Sequence, residues 1–210
     1  METVLLIMPE WLEPTNLLAF GGLTLLLLVV FIENSFFFGF FLPGDSLLFT
    51  AGLFCGSVYL PVSLLTLIGA LILTASLGSL LGYWFGKKFG FWIKNLPDGK
   101  IYKRKHLEMT SEYYEKKGSY AFIMGRFLPV IRTFVPILAG IVNMPFKKFM
   151  LFNVLGVSIW VIIIVTAGFF LGKTFPQLIH HLEWVILALV VLPLIPVLKK
   201  IFSKNAVKPA

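Results

Sequence analysis

Four ionisable side chains stand in stretches of sequence that are otherwise almost wholly apolar. Glu33 and Asp45 bracket "ENSFFFGFFLPGD" (33–45), and Arg126 and Arg132 bracket "RFLPVIR" (126–132). At the centre of a bilayer one such charge costs about 2.5–3.5 kcal/mol even on lenient insertion scales, so charges kept there are candidates for a substrate or proton pathway. Two guanidiniums offer forked donors that match a phosphate group. A carboxyl in apolar surroundings is pushed toward its neutral form by desolvation and toward its ionised form by a nearby arginine. Balanced between the two, it takes up and releases a proton as its partner comes and goes. The structural alternative is that each acid neutralises an arginine and pins two segments together. Stability alone justifies such buried pairs weakly, because desolvation offsets much of their attraction.

The elements that must position these charges follow from composition. Of 210 residues 58% are hydrophobic and only 13% charged, with a mean hydropathy of +0.91. A soluble domain carries roughly twice that charged fraction. The expected class is an all-α integral membrane protein forming one membrane domain over 1–210. About 20 apolar residues cross the hydrocarbon layer as a helix, and four segments reach that length: about 16–33, 60–86, 147–172 and 183–202. Two more, about 34–57 and 119–142, are long enough but broken, the first at Pro43–Gly44 and the second by Pro129 and Pro136. Each limb is then half a span. Segments of that kind are tolerated at membrane depth when buried in protein or facing a watery cavity, and re-entrant hairpins are expected, with two kinked full spans as the rival reading.

Basic residues orient the chain. Nine of them, from Lys87 to Lys117, lie in a central loop (87–118), and Lys199, Lys200, Lys204 and Lys208 lie toward the C-terminus, the last two in the tail 203–210. Both regions are expected in the cytoplasm. The net charge of +8 is explained by that topology and gives no reason to expect nucleic acid. The first hairpin then enters from outside and the second from the cytoplasmic face. The N-terminus, with Glu2, Glu10 and Glu13 and no basic residue before Lys87, does not read as a cleaved signal peptide.

The chain also resembles itself at a shift of 86 positions: "FLP" at 41–43 recurs at 127–129, and "GYWFGKKF" (82–89) recurs as "GFFLGKTF" (168–175). "AG" at 51–52 recurs at 139–140, two positions out of step. The expected organisation is a first repeat over 16–86, the basic loop, then a second repeat and last span over 119–202. Because one hairpin enters from each side, the repeats are inverted. Inverted repeats with broken helices meeting near the midplane are a transporter architecture.

Three blocks, "FLPGDSLLFTAG" (41–52), "GRFLPVIRTFVPILAGIVNM" (125–144) and "FNVLGVSIWVIIIVTAGFFLG" (152–172), closely resemble the DedA family of bacterial inner-membrane proteins, also called VTT-domain proteins. The resemblance runs from about 17 to 202. It implies a lipid transporter of the inner membrane: members are associated with returning undecaprenyl phosphate across it, others with proton-dependent homeostasis and drug tolerance, and eukaryotic relatives scramble phospholipids. The family's functional acids correspond to Glu33 and Asp45 and its paired arginines to Arg126 and Arg132. Two departures stand out. Phe40 replaces a proline of some members, and Ser79 replaces an acid of some members, which removes one candidate proton carrier.

The resulting expectation is a flippase for a polyprenyl phosphate, driven by a proton or ion gradient. Arg126 and Arg132 would hold the phosphate, while Glu33 and Asp45 compete for them and carry the proton. Pro43, Gly44, Pro129 and Pro136 would break the helices at the hairpin tips. A proton-coupled antiporter for small cations or drugs, and a less selective scramblase, are the competing readings. No cofactor is expected, and no enzyme activity, since the hairpins hold no nucleophile–base pair and no metal-spaced cluster. The adjacent His180 and His181 cannot converge on one ion from a helix. Whether copies of the chain associate is left open. Trp92, Trp160 and Trp184 read as interfacial anchors, Trp160 alone having the alternative of packing inside. Cys55 reads as a small packing residue.

Overall fold

A computed structural model describes residues 14–36, 44–94 and 129–174. Five helices follow one another in these segments: α1 (Pro14–Ser35), α2 (Gly44–Leu53), α3 (Leu64–Lys94), α4 (Pro129–Ile141) and α5 (Phe146–Thr174). Among the described residues no strand forms beyond one isolated bridge between Cys55 and Leu60. The expected all-α class holds. Two helices are long and apolar enough to cross a bilayer, over Leu64–Gly90 and Phe146–Thr174, and only a third of each is buried by protein. Leu65, Leu73, Leu77 and Trp84 on α3, with Leu151, Ile163 and Phe170 on α5, face outward. Apolar side chains in that number on an outer surface are what lipid tails, not water, would cover.

Local chemistry sets the helix ends. Ser63 caps α3, its Oγ accepting from the Thr66 N–H at 3.1 Å, as an N-cap does for an otherwise unpaired first-turn donor. Pro129 opens α4 at the first helical position, where a missing N–H is harmless. Asn143 closes the α4–α5 turn with φ 54°, a left-handed conformation that asparagine tolerates and helix ends favour. The Met144 N–H then donates back to the Ala139 carbonyl at 2.9 Å.

Two expectations change. The segment expected to span at about 16–33 forms α1 but is interrupted at Gly22 (φ 51°, ψ −140°), a backbone state that glycine alone adopts cheaply. Its apolar stretch, Gly21–Ser35, is shorter than a span. Pro136 does not break α4, which runs through it to Ile141. Its ring deprives only the Arg132 carbonyl of an i+4 donor, and the chain turns instead at Val142–Asn143. The short helices of 10 and 13 residues match the expected half-spans in length. The start of the expected basic loop, 87–94, instead continues α3 to Lys94, while the expected tip residue Pro43, the rest of the loop and the span at 183–202 lie outside the described residues.

Each short helix packs on the long helix of the other half, α2 on α5 and α4 on α3. Glycines permit it. A β-carbon at Gly168 would strike the Phe49 backbone, and one at Gly86 the Ile137 backbone; Gly172 faces Leu53 as Gly90 faces Ile141, and Gly52 faces Val165 as Gly140 faces Tyr83. These three contact pairs map onto one another when the long helices are shifted by 82 (86 to 168, 90 to 172, 83 to 165) and the short ones by 88 (49 to 137, 53 to 141, 52 to 140). The expected offset of 86 therefore pairs the long helices one turn out of register. Letters in apolar sequence match by composition, whereas contacts are fixed by where backbones can touch.

The core is in two parts. Leu26, Val30, Leu47, Leu71, Val157 and Val161 gather where α1, α2, α3 and α5 meet. Tyr83, Val135, Ala139, Met144 and Phe149 form a second cluster around α4. There the Tyr83 ring stacks on Phe149 at 4.3 Å, and its hydroxyl donates to the Met144 carbonyl at 2.7 Å.

Candidate functional site

Three of the four ionisable residues singled out from the sequence fall in described segments, and the fold brings all three together. Glu33 lies in the last turn of α1, Asp45 in the first turn of α2, and Arg132 near the start of α4. Arg132 pairs with Glu33 through Nη2 and with Asp45 through Nη1, at 2.5 Å from Oδ1. One guanidinium thus bridges two carboxylates from separate helices. Glu33 is fully buried and Arg132 is 3% exposed, whereas 18% of the Asp45 side chain remains accessible. Asp45 is the open edge of the cluster. Arg126 lies outside the described residues.

The placement makes electrostatic sense for the acids and not for the base. The N-terminal end of a helix carries about half a positive charge, which favours anions. Asp45 in the first turn of α2 benefits from it. Glu33 is opposed by the C-terminal end of its own helix α1, but its carboxylate rests against Gly44, the first residue of α2, so closely that a β-carbon there would collide with it, and the start of α2 favours it. Arg132 stands near the same kind of helix end on α4, where the field opposes it. Two positive helix ends and a guanidinium therefore converge on one spot, and two carboxylates occupy it. Glu33 Oε2 and Arg132 Nε have no hydrogen-bond partner among the described residues. Unsatisfied polar atoms this deeply buried are unfavourable, and they leave bonding capacity that a further group could use.

Trp160 of α5 completes the cluster. Its Nε1–H donates to Asp45 Oδ1 at 2.8 Å, the guanidinium carbon of Arg132 sits 4.8 Å from its ring centroid, and the residue is 1% exposed. It is no interfacial anchor; the inward alternative is the one realised. A tryptophan in an apolar segment gives no sign of a partner 115 residues away. The available signal was its place in the block that carries the family resemblance.

The long helices α3 and α5 also bury polar side chains. Asn153, buried on α5, donates from Nδ2 to the Ser76 carbonyl at 3.3 Å. Ser79, standing where some family members have an acid, is fully buried on α3 and donates to the Ala75 carbonyl at 2.9 Å. The repeat relation shows how lopsided the site is. Under the contact shifts, Arg132 corresponds to Gly44 and Trp160 to Gly78. The second half supplies the large side chains, and the first half supplies space for them and for α1. A β-carbon at Gly78 would press on the Phe31 carbonyl at 2.7 Å and on Asn34, within two residues of Glu33. Among the described residues no three His, Cys, Asp or Glu side chains gather as metal ligands.

The chain is similar to known membrane proteins. The VTT domain matches residues 42–170, which takes in Asp45, Arg132 and Trp160. Protein DedA of Escherichia coli K12 is 34% identical over 172 residues, covering 82% of this chain and 78% of its own. An uncharacterized membrane protein of Mycobacterium tuberculosis H37Rv, Rv0364, is 35% identical over 204 residues, covering 94% of this chain and 89% of its own. The inner membrane protein YqjA of E. coli K12 is 31% identical over 174 residues, covering 81% and 76%. No solved structure matches.

Proposed function

Since the chain belongs to the DedA family of VTT-domain membrane proteins, we propose that it carries a phosphate-bearing lipid across the bacterial cytoplasmic membrane, coupled to a proton or ion gradient. Undecaprenyl phosphate is the substrate that the family resemblance favours. The observation that carries the reading is the guanidinium of Arg132, near the start of α4, held between Glu33 and Asp45, the latter in the first turn of α2. Helix N-termini and a forked guanidinium are a setting for a phosphate oxygen, and broken helices that aim their N-termini at an anionic group are a transporter device. In the empty site the protein's own carboxylates take the place of the phosphate. An arriving head group competes for Arg132, with Arg126 as its second expected cation. The displaced carboxylates, no longer beside a guanidinium, are the expected proton carriers.

The lipid tail stays among other tails while only the head group crosses, so a small chain suffices. In this reading α2 and α4 are the inner limbs of two re-entrant hairpins entering from opposite faces, with the basic loop and C-terminus in the cytoplasm. The inner-membrane name of YqjA supports the same location. The protein acts as a carrier and not as an enzyme.

One observation favours a second reading. Two carboxylates against one guanidinium leave the described cluster with an excess of negative charge, which suits a cation antiporter. Reconstitution separates them. Vesicles containing the purified chain should speed transbilayer movement of undecaprenyl phosphate above that of a zwitterionic phospholipid, and a pH gradient should bias it. Equal movement of both lipids would point to a scramblase, and movement of neither, with a cation moving instead, to the antiporter.

A further inference from the structure

Asp45 Oδ1 receives two donors at once, Arg132 Nη1 at 2.5 Å and Trp160 Nε1 at 2.8 Å. The same indole ring lies 4.8 Å from the Arg132 guanidinium carbon. Trp160 therefore touches both members of the ion pair, with its polar edge on the acid and its face toward the base. An indole nitrogen is a donor only, and burial makes its partner matter. We infer that Trp160 is a positioning residue that keeps hold of the Asp45 carboxylate when an anion takes Arg132 away from it.

The inference rests on the proposed anion role of Arg132 and goes beyond it by giving the displaced acid somewhere to stay. In the empty site Asp45 has both donors. Once a phosphate occupies the guanidinium, the indole N–H is the donor that remains. Removing that N–H leaves the empty site with Arg132 still on Asp45 but leaves the occupied site with a partly buried carboxylate and no described donor. The loss thus falls on the occupied state and weakens anion binding. A carboxyl oxygen left without a donor, whether or not the acid has taken up its proton, costs enough for about a tenfold change in affinity. The ring face does a separate job, since an aromatic face attracts a guanidinium, and phenylalanine at 160 would keep it.

The test is a double-mutant cycle on the full chain in detergent, with farnesyl monophosphate as probe and farnesol as its uncharged control. Trp160→Phe should raise the dissociation constant for the phosphate about tenfold when Asp45 is present, and by less than about twofold in an Asp45→Leu background, where no acceptor exists. A side chain that merely fills the core would weaken binding by the same factor in both backgrounds, and that result overturns the inference. So does an unchanged affinity in Trp160→Phe with Asp45 intact. The double variant serves as the folding control: if it binds as Asp45→Leu does, the site stands without the indole. Should the native chain bind farnesyl monophosphate no better than farnesol, the reading of Arg132 as an anion site fails, and the role of Trp160 fails with it.

Discussion

Replacing Arg132 by lysine separates what the charge does from what the fork does. The guanidinium reaches Glu33 through one terminal nitrogen and Asp45 through the other. Lysine keeps the charge as a single compact ammonium and cannot present two parallel donors in a plane. It can hold one carboxylate well, so at least one charge-assisted hydrogen bond of about 1.5–3 kcal/mol is lost. The stacking over Trp160, about 0.5–2 kcal/mol, weakens as well. If the fork grips a lipid phosphate, the same geometry is lost from the bound state, and transport of undecaprenyl phosphate in vesicles should fall about ten- to a hundredfold. Arg132→Gln goes further and leaves the buried Glu33 and the partly buried Asp45 without their cation. Breaking a buried pair costs about 3–5 kcal/mol, so thermal unfolding in detergent should move down markedly for glutamine and modestly for lysine. Near-native lipid transport by Arg132→Lys would refute the forked-phosphate reasoning and leave charge tuning as the role of this residue.

Other consequences follow from the packing. Gly44→Ala places a methyl group where the Glu33 carboxylate rests, so transport should be lost while the melting temperature falls by the equivalent of about 1–3 kcal/mol, as overpacking does. Gly168→Ala and Gly86→Ala should each destabilise to a similar degree, because both methyl groups would meet facing backbone. Gly69→Ala, with nothing within 4 Å of the added carbon, should stabilise α3 by about 0.5–1 kcal/mol through helix propensity. Tyr83→Phe removes the bond to the Met144 carbonyl and should cost about 0.5–1.5 kcal/mol in unfolding experiments without altering which lipid is moved.

The sequence was most legible where a charge stood out against an apolar background. Glu33, Asp45 and Arg132 could be singled out and paired because burying any of them alone is so unfavourable that partners had to exist. The long helices α3 and α5 were legible for a related reason: length and hydropathy fix a span with little help from neighbours. The kink in α1 was not, because Gly21–Gly22 sits in a run of leucines that reads as uninterrupted helix. Pro136 was overread, since a proline inside a helix removes one donor and need not end the helix. Trp160 was hardest. Its chemistry depends on Asp45 and Arg132 arriving from two other helices, and no local pattern announces that. The register of the repeat belongs to the same class, being written in which backbones touch at Gly86 and Gly168 and not in which letters match.

The most direct measurement of the central claim is a structure of the protein with a prenyl phosphate bound. The account requires the phosphate oxygens within hydrogen-bond distance of the Arg132 guanidinium, near the first turns of α2 and α4, with Glu33 or Asp45 moved off it. A phosphate bound elsewhere, with the bridge from Glu33 through Arg132 to Asp45 intact, would contradict it.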